Sequence, residues 1–201
     1  DQASEFYGII KSGLNGINDK SEIKTTMNEF YTDLNSNFLG KIQVIYTNYN
    51  YRYKSNSLSN QLDGFNQNEN ALSFKFSRNI FGHHLKATVS NSLFGDRLGN
   101  LINATIVSNK QKEFKYEFGL NISNKHPGFY YELYKSGYTD INWKNEINKT
   151  QIENIFLKFK SIKFGDLRFD FRLIDNYTYF SLISENKTLK PIVNQLGSSI
   201  D

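Results

Sequence analysis

The sequence predicts an all-β, antiparallel up-and-down meander, and three observations carry that prediction. Aromatic residues make up 15% of the 201-residue chain while alanine occurs only four times, a profile that suits strands and opposes helical bundles or disorder. Apolar and polar residues alternate with a period of two through segment after segment. The connections between these segments are short and carry glycine or asparagine, residues that tolerate positive φ.

In chain order, weaker alternation over 5–14 and 23–34 marks the first strands, and the run 41–53 marks a long one. Leu72, Phe74 and Phe76 alternate with Ser73, Lys75 and Ser77, and Leu85, Ala87 and Val89 with Lys86, Thr88 and Ser90. A strand over 101–108 precedes the clearest segment, Phe114 to Ser123, where five apolar residues interleave with Lys, Glu, Gly, Asn and Ser. Strands are also expected over 129–135, 139–147, 152–161 and 177–183, and Leu167 to Leu173 alternates against fully charged partners. The total is about ten to twelve strands. Turn-like residues at 79–83, 108–112 and 163–166 join neighbours as hairpins, whereas Lys54 to Asn70 reads as a long polar surface loop. No composition shift marks a boundary, so 1–201 reads as a single unit. No signal peptide opens it, so one has been removed or the chain is a piece of something longer, and both ends look like those of a fragment.

Composition excludes several classes. Without cysteine there is no disulfide scaffold, thiolate metal site or cysteine nucleophile. No apolar run approaches the ~18–20 residues of a membrane helix. The net charge is +4, but the basic residues sit singly along the strands instead of clustering on one stripe, which argues against a nucleic-acid partner. Five Asn-x-Ser/Thr sites, starting at Asn103, Asn121, Asn148, Asn176 and Asn186, are expected by chance in a chain with 26 asparagines.

Period-two alternation fits two architectures. In a soluble sandwich or lipocalin-like barrel the apolar face turns inward; in an outer-membrane barrel it meets lipid and the polar face lines a wet interior. Three features lean toward the membrane. The runs 41–53 and 114–123 match the ~9–11 residues of a spanning strand. Aromatics gather near strand ends, as an interfacial girdle requires: Tyr49, Tyr51, Tyr53, Phe81, Phe94, Tyr130, Tyr134, Tyr138, Trp143, Tyr177 and Tyr179. The polar faces are rich in Ser, Thr and Asn. On this reading Phe74, Phe76, Phe114, Phe118, Leu120, Leu167, Phe169 and Phe171 face lipid. Lys75, Lys86, Lys115, Glu117, Lys144, Arg168, Asp170 and Arg172 then line the lumen, where rows of mixed charge bias which solutes pass.

The stretch Lys125 to Gln195 also resembles the putative porin family of Bacteroidota outer membranes. The resemblance rests on His126-Pro127-Gly128-Phe129-Tyr130-Tyr131, Tyr134-Lys135-Ser136-Gly137-Tyr138 and Asn142-Trp143-Lys144-Asn145. It continues through Asn148 to Asn154, Asp175-Asn176-Tyr177-Thr178-Tyr179-Phe180 and Lys190-Pro191-Ile192-Val193-Asn194-Gln195, with Phe94 to Asn100 fitting the same context. The resemblance implies an outer-membrane barrel, of which this chain is a large part, serving passive diffusion of small hydrophilic solutes. It implies outer-membrane lipid as the surroundings and other outer-membrane proteins as neighbours.

Candidate chemistry is sparse. His83 and His84 are strand neighbours and point to opposite faces, so they do not share a metal. Asp166 with Asp170, and Glu113 with Glu117, lie on common strand faces, but Arg168 and Lys115 share those faces and neutralise them. No nucleophile elbow or phosphate loop is present. We therefore expect no enzyme activity, no metal and no cofactor. The rival expectations are a non-conducting barrel that scaffolds partner proteins, and a soluble β-sandwich or lipocalin-like binding module.

Overall fold

A computed structural model describes residues 19–56, 63–95, 97–108, 114–138, 141–183, 188–194 and 197–200, without the side chains of 56, 63 or 181 onward. Eight long strands follow one another as an antiparallel meander. These are β1 (Lys20–Ser36), β2 (Gly40–Asn56), β3 (Asp63–Ile80), β4 (His83–Phe94), β5 (Asn100–Ser108), β6 (Phe114–Lys125), β9 (Thr150–Ser161) and β10 (Gly165–Asp175). A ninth, β13 (Gly197–Ile200), pairs with β10, so the sheet order is β1-β2-β3-β4-β5-β6-β9-β10-β13. The sheet is open, with β1 and β13 at its edges. Two small hairpins, β7 (Leu133–Tyr134) with β8 (Trp143–Lys144) and β11 (Tyr177–Ile183) with β12 (Thr188–Asn194), stand outside it.

The predicted fold class is therefore correct, and the differences are local. The strand expected over 5–14 lies outside the described residues. The polar loop expected over 54–70 is mostly strand, because β2 runs to Asn56 and β3 starts at Asp63. Neighbouring strands satisfy the backbone there whatever the side chains are. The segment 129–135 forms one helical turn, α1 (Phe129–Glu132), followed by β7. Among the described residues of 139–147, only Trp143–Lys144 is strand.

The two ends of the sheet differ. Three tight turns close one end: Asn37-Phe38-Leu39, Phe81-Gly82 and Ile162-Lys163-Phe164. Phe81 and Gly82 have φ of 47° and 78°, the pair of positive values that a two-residue turn needs to match strand twist. Ser36 and Ser161 cap the other two, each accepting backbone N–H groups at its Oγ, from Phe38 and Leu39 (both 3.2 Å) and from Lys163 (3.3 Å). The opposite end carries the loop 95–99, the long insertion 126–149 between β6 and β9, and the β11–β12 hairpin.

Register fixes the two faces. One cross-strand row reads Leu34, Ile42, Phe76, Ala87, Ala104, Leu120, Ile155, Phe171; the next reads Thr32, Val44, Phe74, Val89, Ile102, Ile122, Glu153, Leu173. Leu85, Ile106, Phe118, Leu157 and Phe169 add a third. The face is apolar almost throughout. On β6 it runs from Phe114 to Ile122, about 26 Å at ~3.3 Å per residue. Its large residues stay exposed: Phe74 47%, Phe118 44%, Leu167 54%, Phe169 54%.

Candidate functional site

The opposite face is polar. One row on it reads Gln43, Lys75, Thr88, Asn103, Asn121, Asn154, Arg172, and its neighbour includes Ser77, Lys86, Thr105, Gly119, Phe156 and Asp170. Charges pair toward β10: across strands Lys158 meets Glu117 at 3.4 Å and Lys160 meets Asp166 at 3.2 Å, and along β10 Arg168 meets Asp170. Phe156 lies on this polar face, covering Gly119, where a Cβ would sit only 2.2 Å from the ring. Lys158 stacks over the same ring at 4.7 Å. Glu117, Asp166 and Asp170 are thus met by cations. Asp170 finds the expected Arg168, while Glu117 finds Lys158 and not Lys115. Glu113 lies outside the described residues.

The eight residues expected to meet lipid all fall on the apolar face, and seven of the eight expected in the lumen fall on the polar one. Lys144 does not, because β8 belongs to the insertion. His83 and His84 separate as expected. His84 meets Asn79 (2.6 Å) and Ser77 (3.3 Å) on the polar side, whereas His83 contacts the Tyr116 hydroxyl. Among the described residues, no group of three His, Asp or Glu is placed to hold a metal.

The interface aromatics need correction. Tyr49, Tyr51 and Tyr53 project from the polar face, and Tyr53 is 1% exposed. The insertion covers it. Phe129 stacks on Tyr53 with centroids 5.4 Å apart and meets Tyr51 and Phe65 edge-on or tilted. The Tyr53 hydroxyl donates to the Leu133 carbonyl (2.7 Å), and Ser55 Oγ accepts from Lys135 N–H (2.9 Å). Trp143 is buried too, against Tyr134 and Phe180, and its indole N–H donates to the Tyr130 carbonyl (2.7 Å). Tyr130, Tyr177 and Tyr179 remain exposed and Tyr138 half-buried. An aromatic with a polar tip serves a buried, hydrogen-bonded position as well as an interface, so residue type alone does not separate the two.

A charged node pins the insertion. Arg97, 8% exposed, lies 3.7 Å over the Phe129 ring and 5.1 Å over Phe65. Its guanidinium donates to Gln67 (2.7 Å), to the Pro127 carbonyl (3.4 Å) and to the Glu132 carboxylate. Burial pulls its pKa below the usual arginine value, and Glu132 chiefly, with Glu69, opposes the shift. The fully buried Glu69 accepts backbone N–H groups from Arg97 and from Leu98 (2.9 Å), which seats the 95–99 loop. Gly99, at φ 61°, brings the loop so close to β6 that a Cβ would lie 1.5 Å from the Asn124 carbonyl oxygen. Sequence reasoning missed this node. Arg97, Glu69 and Glu132 are far apart in the chain, and each looks like an ordinary surface charge.

Fold and faces together define a class: an open antiparallel meander sheet with one largely apolar face and one charged, partly covered polar face. The chain belongs to the family described as Putative porin, whose sequence profile matches residues 1–201. A search of curated proteins gave no match. A search of solved structures gave none either.

Proposed function

We propose that this sheet forms part of the wall of an outer-membrane channel for passive diffusion of small hydrophilic solutes. The observation that carries the reading is the sidedness of the sheet. A soluble sandwich or lipocalin-like module would bury the apolar face. Here Phe74, Phe118 and Phe169 are about half exposed and Val89, Ile102 and Ile106 nearly so, while the inserted segment covers part of the polar face instead. Lipid is the environment in which such a face is stable. The polar rows then border the passage, and Lys75, Lys86, Lys115, Arg168 and Arg172 outnumber Glu117 and Asp170 on them, which favours anionic or zwitterionic solutes weakly. Diffusion along such a face requires no catalytic group.

The test is conductance of the full-length protein in a planar bilayer. Discrete channel steps with mild anion preference are expected, and a complete absence of steps would sink the reading. The insertion itself favours one second reading. A segment docked on the polar face through Phe129 and Arg97 suits a barrel that is narrowed or closed and serves as a scaffold for other outer-membrane proteins. That reading predicts no steps.

A further inference from the structure

At the end of the sheet opposite the tight turns, the apolar face of β1–β3 passes through an ordered series of rows. Phe30, Tyr46 and Leu72 form its last apolar row. Next come Asn28, Asn48 and Asn70, the last two tied by hydrogen bonds: the Tyr46 hydroxyl and Asn48 Nδ2 donate to Asn70 Oδ1 (3.0 and 2.7 Å), and Asn50 Nδ2 donates to Asn48 Oδ1 (3.0 Å). Thr26, Asn50 and Asn68 follow, and then Lys24, Arg52 and Asn66. Glu22 and Lys54 pair one step beyond, and Lys20 lies on the same side by alternation. This face therefore gathers Lys20, Lys24, Arg52 and Lys54 around one carboxylate, Glu22, among the described residues of the three strands. A groove of about 420 Å³ opens among Lys24, Thr26, Asn50, Arg52, Asn66 and Asn68.

The charges are arranged unfavourably for an empty surface. Lys24 and Arg52 stand directly opposite each other on adjacent strands, where like charges repel. Lys24 has Glu22 at 2.9 Å, but Arg52 donates only to the Asn66 side-chain carbonyl (3.3 Å) and forms no ion pair among the described residues. That contact orients the Asn66 amide beside the guanidinium. A fork of guanidinium donors, a nearby ammonium and neutral amide donors is the donor set that a phosphate group takes.

We propose that this groove binds the phosphate of an anionic lipid headgroup at the bilayer surface. The proposal rests on the apolar face meeting lipid. Position selects a lipid over a free anion. Lys24 lies four residues past the amide row, about 13 Å along the strand. At the usual barrel tilt this is a rise of about 10 Å. The headgroup layer is roughly 5–8 Å deep, and long basic side chains reach back toward it. The amide row then sits at the boundary between acyl chains and headgroups, and the basic row at phosphate level.

The test uses the full-length protein in nanodiscs of phosphatidylcholine doped with phosphatidylglycerol, with retained lipid counted by native mass spectrometry. Phosphatidylglycerol should be enriched around the wild-type protein, and the K24Q/R52Q pair should lower that enrichment by about tenfold or more. Millimolar inorganic phosphate should leave it unchanged. Equal retention by the variant, or displacement by inorganic phosphate, overturns the proposal. Because the chain has no cysteine, a nitroxide on Val89→Cys reports the underlying reading separately. Access to oxygen but not to a water-soluble nickel complex places the apolar face in lipid, so a negative lipid count then condemns the groove alone. Access to the nickel complex condemns both.

Discussion

Arg97 shows what a single side chain does in this sheet. Its position over Phe129 and its hydrogen bonds to Gln67, Pro127 and Glu132 tie three separate stretches of chain together at one point. Glu132 Oε1 also lies 3.0 Å from His126 Nδ1, a close approach within the insertion that lacks hydrogen-bond geometry. Removing the guanidinium leaves the largely covered Glu132 carboxylate short of its donor. Breaking one partner of a buried pair costs about 3–5 kcal/mol. Arg97→Ala should therefore lower unfolding stability by that order in detergent micelles, followed by the loss of β-sheet circular dichroism in urea. Arg97→Lys keeps the charge but not the planar fork and should fall between the two. An Arg97→Ala protein as stable as wild type would show that the node contributes little. None of this was visible in the sequence, because contact between residues about 30 positions apart leaves no local periodicity. The facing of Phe74 or Lys75, in contrast, was readable directly, since neighbours in a strand must point to opposite sides.

At the scale of elements, strands and insertion differ in how openly the sequence declares them. β4, β6, β9 and β10 alternate cleanly and were placed within a few residues. The ends of β2 and β3 were missed because Ser, Asn and Gln dominate 54–70, whereas strand extension there depends on pairing with a neighbour. The insertion was misread for the opposite reason. Phe129-Tyr130-Tyr131-Glu132-Leu133-Tyr134 has strand-like composition, yet Phe129 and Leu133 turn to the same partner, Tyr53, by forming a helical turn. His126 to Phe129, among the blocks that carry the family resemblance, lies in the docked segment, with Phe129 stacked on Tyr53. Register also makes the insertion separable, since Lys125 pairs with Thr150 on either side of it. Replacing 126–149 by Asn-Gly gives β6 and β9 a two-residue turn of the favoured kind. The sheet should survive, seen as unchanged β-sheet dichroism, and single-channel conductance should rise by about twofold or more if the segment narrows the passage. Unchanged conductance would place the constriction elsewhere.

For the molecule as a whole, consecutive strands pair with each other nearly throughout, and this local topology lets the sheet grow hairpin by hairpin. The core is small, with Tyr53, Phe129 and Leu133 at its centre on the polar face. That core is small for so wide a sheet, and on the proposed reading lipid covers the apolar face and supplies the remaining burial. The full-length protein should accordingly partition with detergent and migrate differently on gels before and after heating. Identical migration, together with solubility without detergent, would favour the soluble module.

The open edge of β1 adds a constraint of its own. Alternate residues along its 17-residue length direct backbone N–H and C=O groups away from β2. Each such group costs several kcal/mol in hydrocarbon, and even a handful would exceed the roughly 5–15 kcal/mol that holds a protein folded. An embedded β1 therefore has a partner strand on that side. If β1 lies in lipid as proposed, backbone hydrogen bonding, more than any side chain, requires a partner along that edge.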